Sequence, residues 1–280
     1  MRRVMSQLLL GDCVLGMRSL AEETVDLVVA DPPYNIGFDY GGEYDDSLSA
    51  SEYSRWSRDW IEQVARVLKP DGSFWLIIGD EWAADLVCTT RSLGLHMRSW
   101  VIWYYTFGVN CEAKFTRSHA HVLYFTKHRK RFKFYPEQIR VPSARELVYH
   151  DKRASPAGRL PDDTWILRPQ ELDAQVFPEF GDTWHIPRIA GTFKQRVPGI
   201  PNQIPEQLIG RIIRACTQEG DLVLDPFLGS GTTAVVAKKL RRRYGGYEQS
   251  QTFLDGALRR LAQCLPGDPL DGPITQGSSA

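Results

Sequence analysis

Hydrophobic and polar positions follow two habits along this chain. Short, nearly continuous apolar runs end in an acid, and the longer stretches between them place apolar residues every three or four positions. Val25-Asp26-Leu27-Val28-Val29-Ala30 is such a run, halted by Asp31-Pro32-Pro33-Tyr34. Apolar and β-branched, it predicts a buried parallel strand whose continuation the two prolines forbid. Ser73 to Ile78 repeats the pattern and ends toward Asp80, Asp221 to Leu224 ends at Asp225, Tyr244 to Tyr247 ends at Glu248, and Gln7 to Gly11 ends at Asp12. Helical spacing marks Val14 to Leu20, a helix capped by Ser51 and running to about Leu68, Trp82 to Leu93 closed by Gly94, Ile204 to Cys216 opened by Pro205, Ala234 to Leu240, and Thr252 to Cys264. Lys69-Pro70-Asp71-Gly72 predicts a turn, and Trp100 to Phe107 with His121 to Phe125 predicts an antiparallel edge.

Strands alternating with helices predict an α/β fold with a doubly wound, Rossmann-like sheet, mostly parallel with that antiparallel edge. The order is unusual. A sheet started by the Asp221 strand should continue through the Glu248 strand and a helix to a third strand, yet the chain runs out after the helix. The amino-terminal strand, Gln7 to Asp12, supplies the missing member, so the expected fold is circularly permuted. Residues 127–198 lose clear periodicity and carry eight prolines, which predicts an insertion with its own purpose. The expected organisation is therefore 1–126 and 199–264 as two halves of one domain, 127–198 as an inserted region, and 265–280 as a disordered tail.

Two of the strand ends carry chemistry. In open α/β sheets ligands bind outside the carboxyl ends of the strands, and Asp31 to Tyr34 puts an acid, two rigid residues and an aromatic ring there. Asp225-Pro226-Phe227-Leu228-Gly229-Ser230-Gly231-Thr232-Thr233 reads as a strand, a tight turn and a helix start. Glycines let the backbone approach a ligand closely, and free N–H groups at a helix start attract anionic groups, so a nucleotide-like cofactor is implied. Glu248, about a helix's length further on, is placed to accept both hydroxyls of a ribose. The segment from Asn35 to Asp46, rich in glycine, aromatics and acids, reads as a mobile loop beside this edge.

The pair of motifs resembles the S-adenosylmethionine-dependent DNA amino-methyltransferases, which modify adenine N6 or cytosine N4. Asp31, Pro32, Pro33 and Tyr34 match the catalytic motif of that family, and Asp225 to Thr233 match its cofactor motif. The catalytic motif comes first here, as in the permuted β group. The resemblance implies a Rossmann-like methyltransferase domain, S-adenosyl-L-methionine as cofactor and double-stranded DNA as partner, with the target base flipped out of the duplex. It assigns Asp31, Asp225, Phe227, Gly229, Ser230, Gly231, Thr232 and Glu248 to the cofactor site, with Asp12 and Val14 toward the adenine and Asn202 and Gln203 toward the methionine. The last two lie in Ile200-Pro201-Asn202-Gln203-Ile204-Pro205, which departs from the family pattern at Ile200 and Ile204. An Asp at the start of the catalytic motif favours adenine over cytosine. The resemblance admits a homodimer and a cognate restriction enzyme as partners, and it places the protein in the cytoplasm, at the nucleoid.

Composition narrows this only locally. Hydrophobic residues make up 42% and charged residues 24% of 280, with no net charge, which is ordinary for a globular protein. The start of the chain is too short in apolar residues for a signal core or a membrane span, so no membrane partner is expected. Five scattered cysteines without a C-x-x-C pair indicate no metal site, and the absence of a Pro-Cys pair excludes cytosine C5 chemistry. Between Lys127 and Arg168, however, eleven basic residues stand against five acids, interleaved with Phe132, Phe134, Tyr135, Tyr149 and Trp165. Such a surface suits nucleic acid. Arg129, Lys130, Arg131, Lys133, Arg140, Arg145, Lys152 and Arg153 are therefore expected to bind DNA, with the region setting target recognition. Ser118-His119-Ala120-His121 reads as structural or near the DNA. A cofactor-sensing regulator without turnover would not need Asp31 to Tyr34 intact, and a nicotinamide dehydrogenase would need a G-x-G-x-x-G spacing that is absent here.

Overall fold

The computed structural model describes residues 7–40, 44–109, 113, 115, 117–141, 152, 153, 155–165 and 202–270. The strands are β1 (Gln7–Leu10), β2 (Val25–Ala30), β3 (Leu68–Ile78), β4 (His96–Val109), β5 (Arg117–Thr126), β6 (Thr164–Trp165), β7 (Leu222–Asp225) and β8 (Arg243–Glu248). They form one sheet in the order β1-β8-β7-β2-β3-β5-β4-β6. All pairings are parallel except those of β5 with β3 and β4. The expected permutation is visible in the register, because Gln7 to Leu10 pair with Gly245 to Glu248 and complete the sheet beyond β8.

The helices α1 (Cys13–Arg18), α2 (Ala50–Val67), α3 (Ala83–Ser92), α4 (Glu206–Cys216), α5 (Thr232–Lys239) and α6 (Gln251–Gln263) cover both faces. Two apolar cores follow from this. One places Trp60, Ile61, Val64 and Met17 against Val28, Phe74 and Leu76; the other places Leu208, Ile209, Ile212 and Ile213 against Leu27, Trp75 and Val122. Alternate residues of β2 thus feed opposite layers, the reason its whole length is buried.

Several expectations need correction. Helix α2 is capped by Ser49, not Ser51, through a capping box with Glu52, because Ser-Leu-Ser-Ala offers two serines and only the first has Glu three residues on. Lys69 to Gly72 do not turn away but continue β3, with the irregularity absorbed between Val25 and Leu27. The expected tail does not begin at Leu265. Gly267 donates its N–H to the Lys239 carbonyl, the Lys239 ammonium donates to the Pro269 carbonyl at 2.9 Å, and Leu270 packs on the second core. The expected insertion also contributes to the sheet, since Thr164 and Trp165 pair with Ile102 and Trp103.

Opposite the strand carboxyl ends lies a buried ionic cluster that the apolar reading of β2 hides. Asp26 has no solvent exposure and accepts hydrogen bonds from the ammonium groups of Lys69 and Lys133, each at 2.7 Å, and from the Leu222 N–H. Lys133 also reaches Asp221. Lys133 is therefore not part of a DNA surface: a buried carboxylate needs paired cations, and it is one of them. Arg129, Lys130 and Arg131 follow the end of β5, where Thr126 pairs with Ser73 at the start of the long run of β3. They are exposed, but at the sheet edge opposite the cleft described next.

Candidate active site

Above the carboxyl ends of β7, β2 and β3 the chain encloses a cleft of about 280 Å³. Its floor carries Asp31 and Asp225, and Glu248 stands on its wall. β2 ends at Ala30, so the prolines turn the motif out of the sheet and leave Asp31 at the edge. Tyr34 folds back, and its hydroxyl donates to Asp31 Oδ1 at 2.9 Å. The Pro33 carbonyl accepts a 2.7 Å hydrogen bond from Tyr53, a fully buried residue of α2. The motif is thus fixed from both sides.

Burial pushes the Asp31 carboxyl up to about 7, against the hydrogen bond from Tyr34, which lowers it, and with a further upward contribution from the charge of Asp225. Asp225 is likewise raised by burial, to about 6, although Thr233 and the Phe227 N–H hydrogen-bond its charged form. Three acids lining one cleft give it a negative potential, which suits a cationic ligand.

The turn after β7 fits a bulky ligand at close range. Gly229 has φ +47, and a Cβ built on it meets nothing within 4 Å; the same holds for Gly11 on the facing wall. Bare backbone faces the cleft at both places. Glu248 staples this turn, its carboxylate accepting the N–H of Gly229 at 2.8 Å and of Ser250 at 2.9 Å. The remaining lone pairs of its oxygens are in reach of a ligand in the cleft. Phe227 forms part of an aromatic wall with Trp56, at 5.6 Å between ring centroids, and Tyr44 packs on Trp56 in turn.

Of the other expected site residues, Ser230, Thr232, Asn202 and Gln203 line the cleft. Gly231 does not serve there. It has φ +74 and a Cβ on it would lie 2.6 Å from the Ala257 side chain, so it is glycine to let α5 approach α6. Asp12 and Val14 are also not on the wall, which their neighbours Gly11 and Cys13 form. The Asp12 carboxylate instead caps α1 through the Leu15 N–H at 2.9 Å, and Val14 packs on the first core. Arg145 lies outside the described residues, and Arg140, Lys152 and Arg153 are exposed.

Sequence reasoning missed much of the far wall: Trp103 and Tyr105 from β4, Arg117 and Ala120 from β5, and Tyr40 from the loop. The period-two spacing of Trp103 and Tyr105 was the available signal. Arg117 is gripped by Asp80 at 2.7 Å and by Glu81. The loop itself is tied down by Asp46, whose carboxylate accepts the N–H groups of Asn35, Ile36 and Phe38. Asn35 has φ +53 at that bend, a conformation asparagine tolerates better than most residues.

This geometry agrees with comparison to known proteins. A family model described as DNA methylase matches residues 25–259. The chain belongs to that family, the S-adenosylmethionine-dependent DNA N6/N4 methyltransferases. It is 34% identical over 256 residues to the type II methyltransferase M.HpaI of Haemophilus parainfluenzae, covering 91% of this chain and 74% of the relative. The DNA adenine methyltransferase YhdJ of Escherichia coli (strain K12) is 31% identical, covering 90% and 81%. The methylase also shares its fold with a putative DNA modification methylase of Thermus thermophilus solved with S-adenosyl-L-methionine, at TM-score 0.61 and 24% identity over 95% of this chain and 97% of that one. The cytosine-N4-specific PvuII methyltransferase superposes with TM-score 0.64 at 20% identity, over 90% and 84%.

Proposed function

We propose that this methylase transfers a methyl group to adenine N6 of a base flipped from duplex DNA into the cleft, with Asp31, Pro32, Pro33 and Tyr34 as its catalytic residues. The observation that carries the reading is the meeting of Asp31, Tyr34 and the Gly229 turn in one cleft. When bound, S-adenosyl-L-methionine supplies an electrophilic sulfonium methyl. Asp225, Phe227, Gly229, Ser230, Thr232, Glu248, Asn202 and Gln203 hold it, the negative cleft favouring its positive charge.

The exocyclic amine of adenine is a poor nucleophile because its lone pair is delocalised into the ring. Asp31, when ionised, accepts one N–H of that amine and the Pro32 carbonyl accepts the other, which favours a pyramidal nitrogen with its lone pair aimed toward the Gly229 side. The Tyr34 ring stacks on the flipped base and offsets part of the unstacking cost, a few kcal/mol. Adenine is favoured by the acid that opens the motif and by the likeness to an enzyme named as a DNA adenine methyltransferase. Target recognition falls to the region after Pro136, with Arg140, Lys152 and Arg153 on phosphates. The type II names of two relatives favour a cognate restriction enzyme as companion; a homodimer and action at the nucleoid rest on family resemblance alone.

The test is to express the wild-type chain and Asp31→Ala in a host lacking other methylases and to analyse the digested DNA by mass spectrometry. N6-methyladenine with the wild type and none with the variant is expected. N4-methylcytosine instead would move the target to cytosine, and equal adenine methylation by the variant would remove Asp31 from catalysis.

A further inference from the structure

The cleft is built from two segments far apart in the chain, Asn202 to Ile204 and Gly229 to Thr232, and one buried side chain outside the cleft touches the frame of both. Arg260 of α6 is 8% exposed. One end of its guanidinium donates to the Ser230 carbonyl at 2.7 Å, to Ser230 Oγ at 3.2 Å and to Thr232 Oγ1 at 3.0 Å. The other end pairs with Glu206 Oε1 at 3.1 Å. Glu206 is 1% exposed, is the first residue of α4 and follows the Asn202 to Pro205 segment directly. Its second oxygen takes the Lys239 ammonium at 2.8 Å, at the far end of the helix that the turn opens.

We infer that Arg260 is a positioning residue for cofactor binding, clamping the Gly-Ser-Gly turn to the start of α4 so that both walls of the cofactor pocket hold one spacing. The inference rests on the proposal that this cleft holds S-adenosyl-L-methionine. A buried ion cluster is seldom a net source of stability, since well-packed apolar groups replace it at little or no cost. What an apolar replacement cannot reproduce is a planar fork that spans two backbone segments with directed hydrogen bonds. Ser230 and Thr232 line the cleft themselves, so the rotamers that Arg260 fixes are presented to the ligand. Asn202, with φ +52, stands only four residues before Glu206, and a shift there moves it directly.

The experiment measures S-adenosyl-L-methionine affinity by calorimetry and the unfolding midpoint in urea for the full chain. The variants are Arg260→Lys, Arg260→Met and the apolar triple Arg260→Met, Glu206→Leu, Lys239→Met. Arg260→Met alone should lose both stability and affinity, because it takes from buried Glu206 one of its two cations. The triple variant should recover most of the midpoint yet bind the cofactor roughly 10- to 100-fold more weakly than the wild type, the effect of lost charge-assisted hydrogen bonds. Arg260→Lys keeps the charge but not the fork, so it should fold normally and still bind more weakly. Wild-type affinity in the folded triple variant, or in Arg260→Lys should the triple variant not fold, would overturn the inference. Asp225→Asn serves as the control for the cleft: unchanged affinity there, together with unchanged affinity for a Gly229→Val variant, would show that the cofactor sits elsewhere and that the underlying site assignment is at fault.

Discussion

Tyr34 donates its hydroxyl hydrogen to Asp31 Oδ1 at 2.9 Å, so the ring expected to stack on the target base also holds the carboxylate expected to accept its amine. The hydrogen bond opposes a large effect of burial, which leaves the Asp31 carboxyl at about 7. Only the ionised carboxylate leaves both oxygens as acceptors, one for Tyr34 and one for substrate.

Methyl transfer should therefore depend on pH in a stated direction. With the free-enzyme carboxyl at about 7, kcat/KM should fall about tenfold per unit as pH drops well below that value. Tyr34→Phe keeps the ring but removes the hydrogen bond that lowers the Asp31 value, so its profile should move to higher pH. A profile that is flat from acid to neutral in the wild type, or unmoved in Tyr34→Phe, contradicts the assignment.

The same burial has a stability consequence of opposite sign to function. Asp31 is raised in the folded chain above its ordinary 3.8, so its contribution to stability is fully present below that ordinary value and is lost as pH rises through about 7. A permanently neutral Asp31→Asn should gain about 1–2 kcal/mol over the wild type at alkaline pH, after allowance for the partly open cleft, and much less at about pH 4. Urea unfolding of both proteins at the two pH values measures the difference. An equal gain at both would trace it to packing instead.

Glu248 carries two duties, stapling the glycine turn and facing the cleft. Glu248→Ala should weaken S-adenosyl-L-methionine binding by about 1–3 kcal/mol. It should also lower stability, because the Gly229 and Ser250 N–H groups lose their acceptor. Calorimetry and thermal unfolding separate the two, and a loss of stability with unchanged affinity would reduce Glu248 to a staple.

The strands and their terminal acids are legible in the sequence because a buried parallel strand leaves a dense apolar signature and proline ends it visibly. The Asp31 and Glu248 positions follow from that. Asp26 is not legible, since one acid inside an apolar run looks like noise until Lys69 and Lys133 are seen to converge on it from distant segments. Gly231 misleads for a related reason. A glycine turn tells that some close approach is needed, but whether a ligand or the Ala257 side chain makes it depends on where α6 packs. Charge counts fail most clearly: a run of bases between 127 and 133 carries no record of which edge of the sheet it occupies.

That last point yields a prediction about DNA. Arg129, Lys130 and Arg131 follow the end of β5 at the edge opposite the cleft. β3 alone is 11 residues long, and strands rise about 3.3 Å per residue, so a duplex delivering a base to the cleft lies on the order of 20 Å away or more. Neutralising all three to glutamine should leave the slope of log affinity against log salt unchanged. Neutralising Arg140, Lys152 and Arg153 should flatten it by up to about one unit for each phosphate deprived of its cation. Lys133→Met supplies a further contrast, because it should cost stability through the Asp26 cluster and leave the slope as it was. Fluorescence anisotropy with a duplex containing the methylated site, titrated over a range of salt, gives the slopes. Flattening by the first triple and none by the second would put the DNA on the other edge, in conflict with a base entering above Asp31.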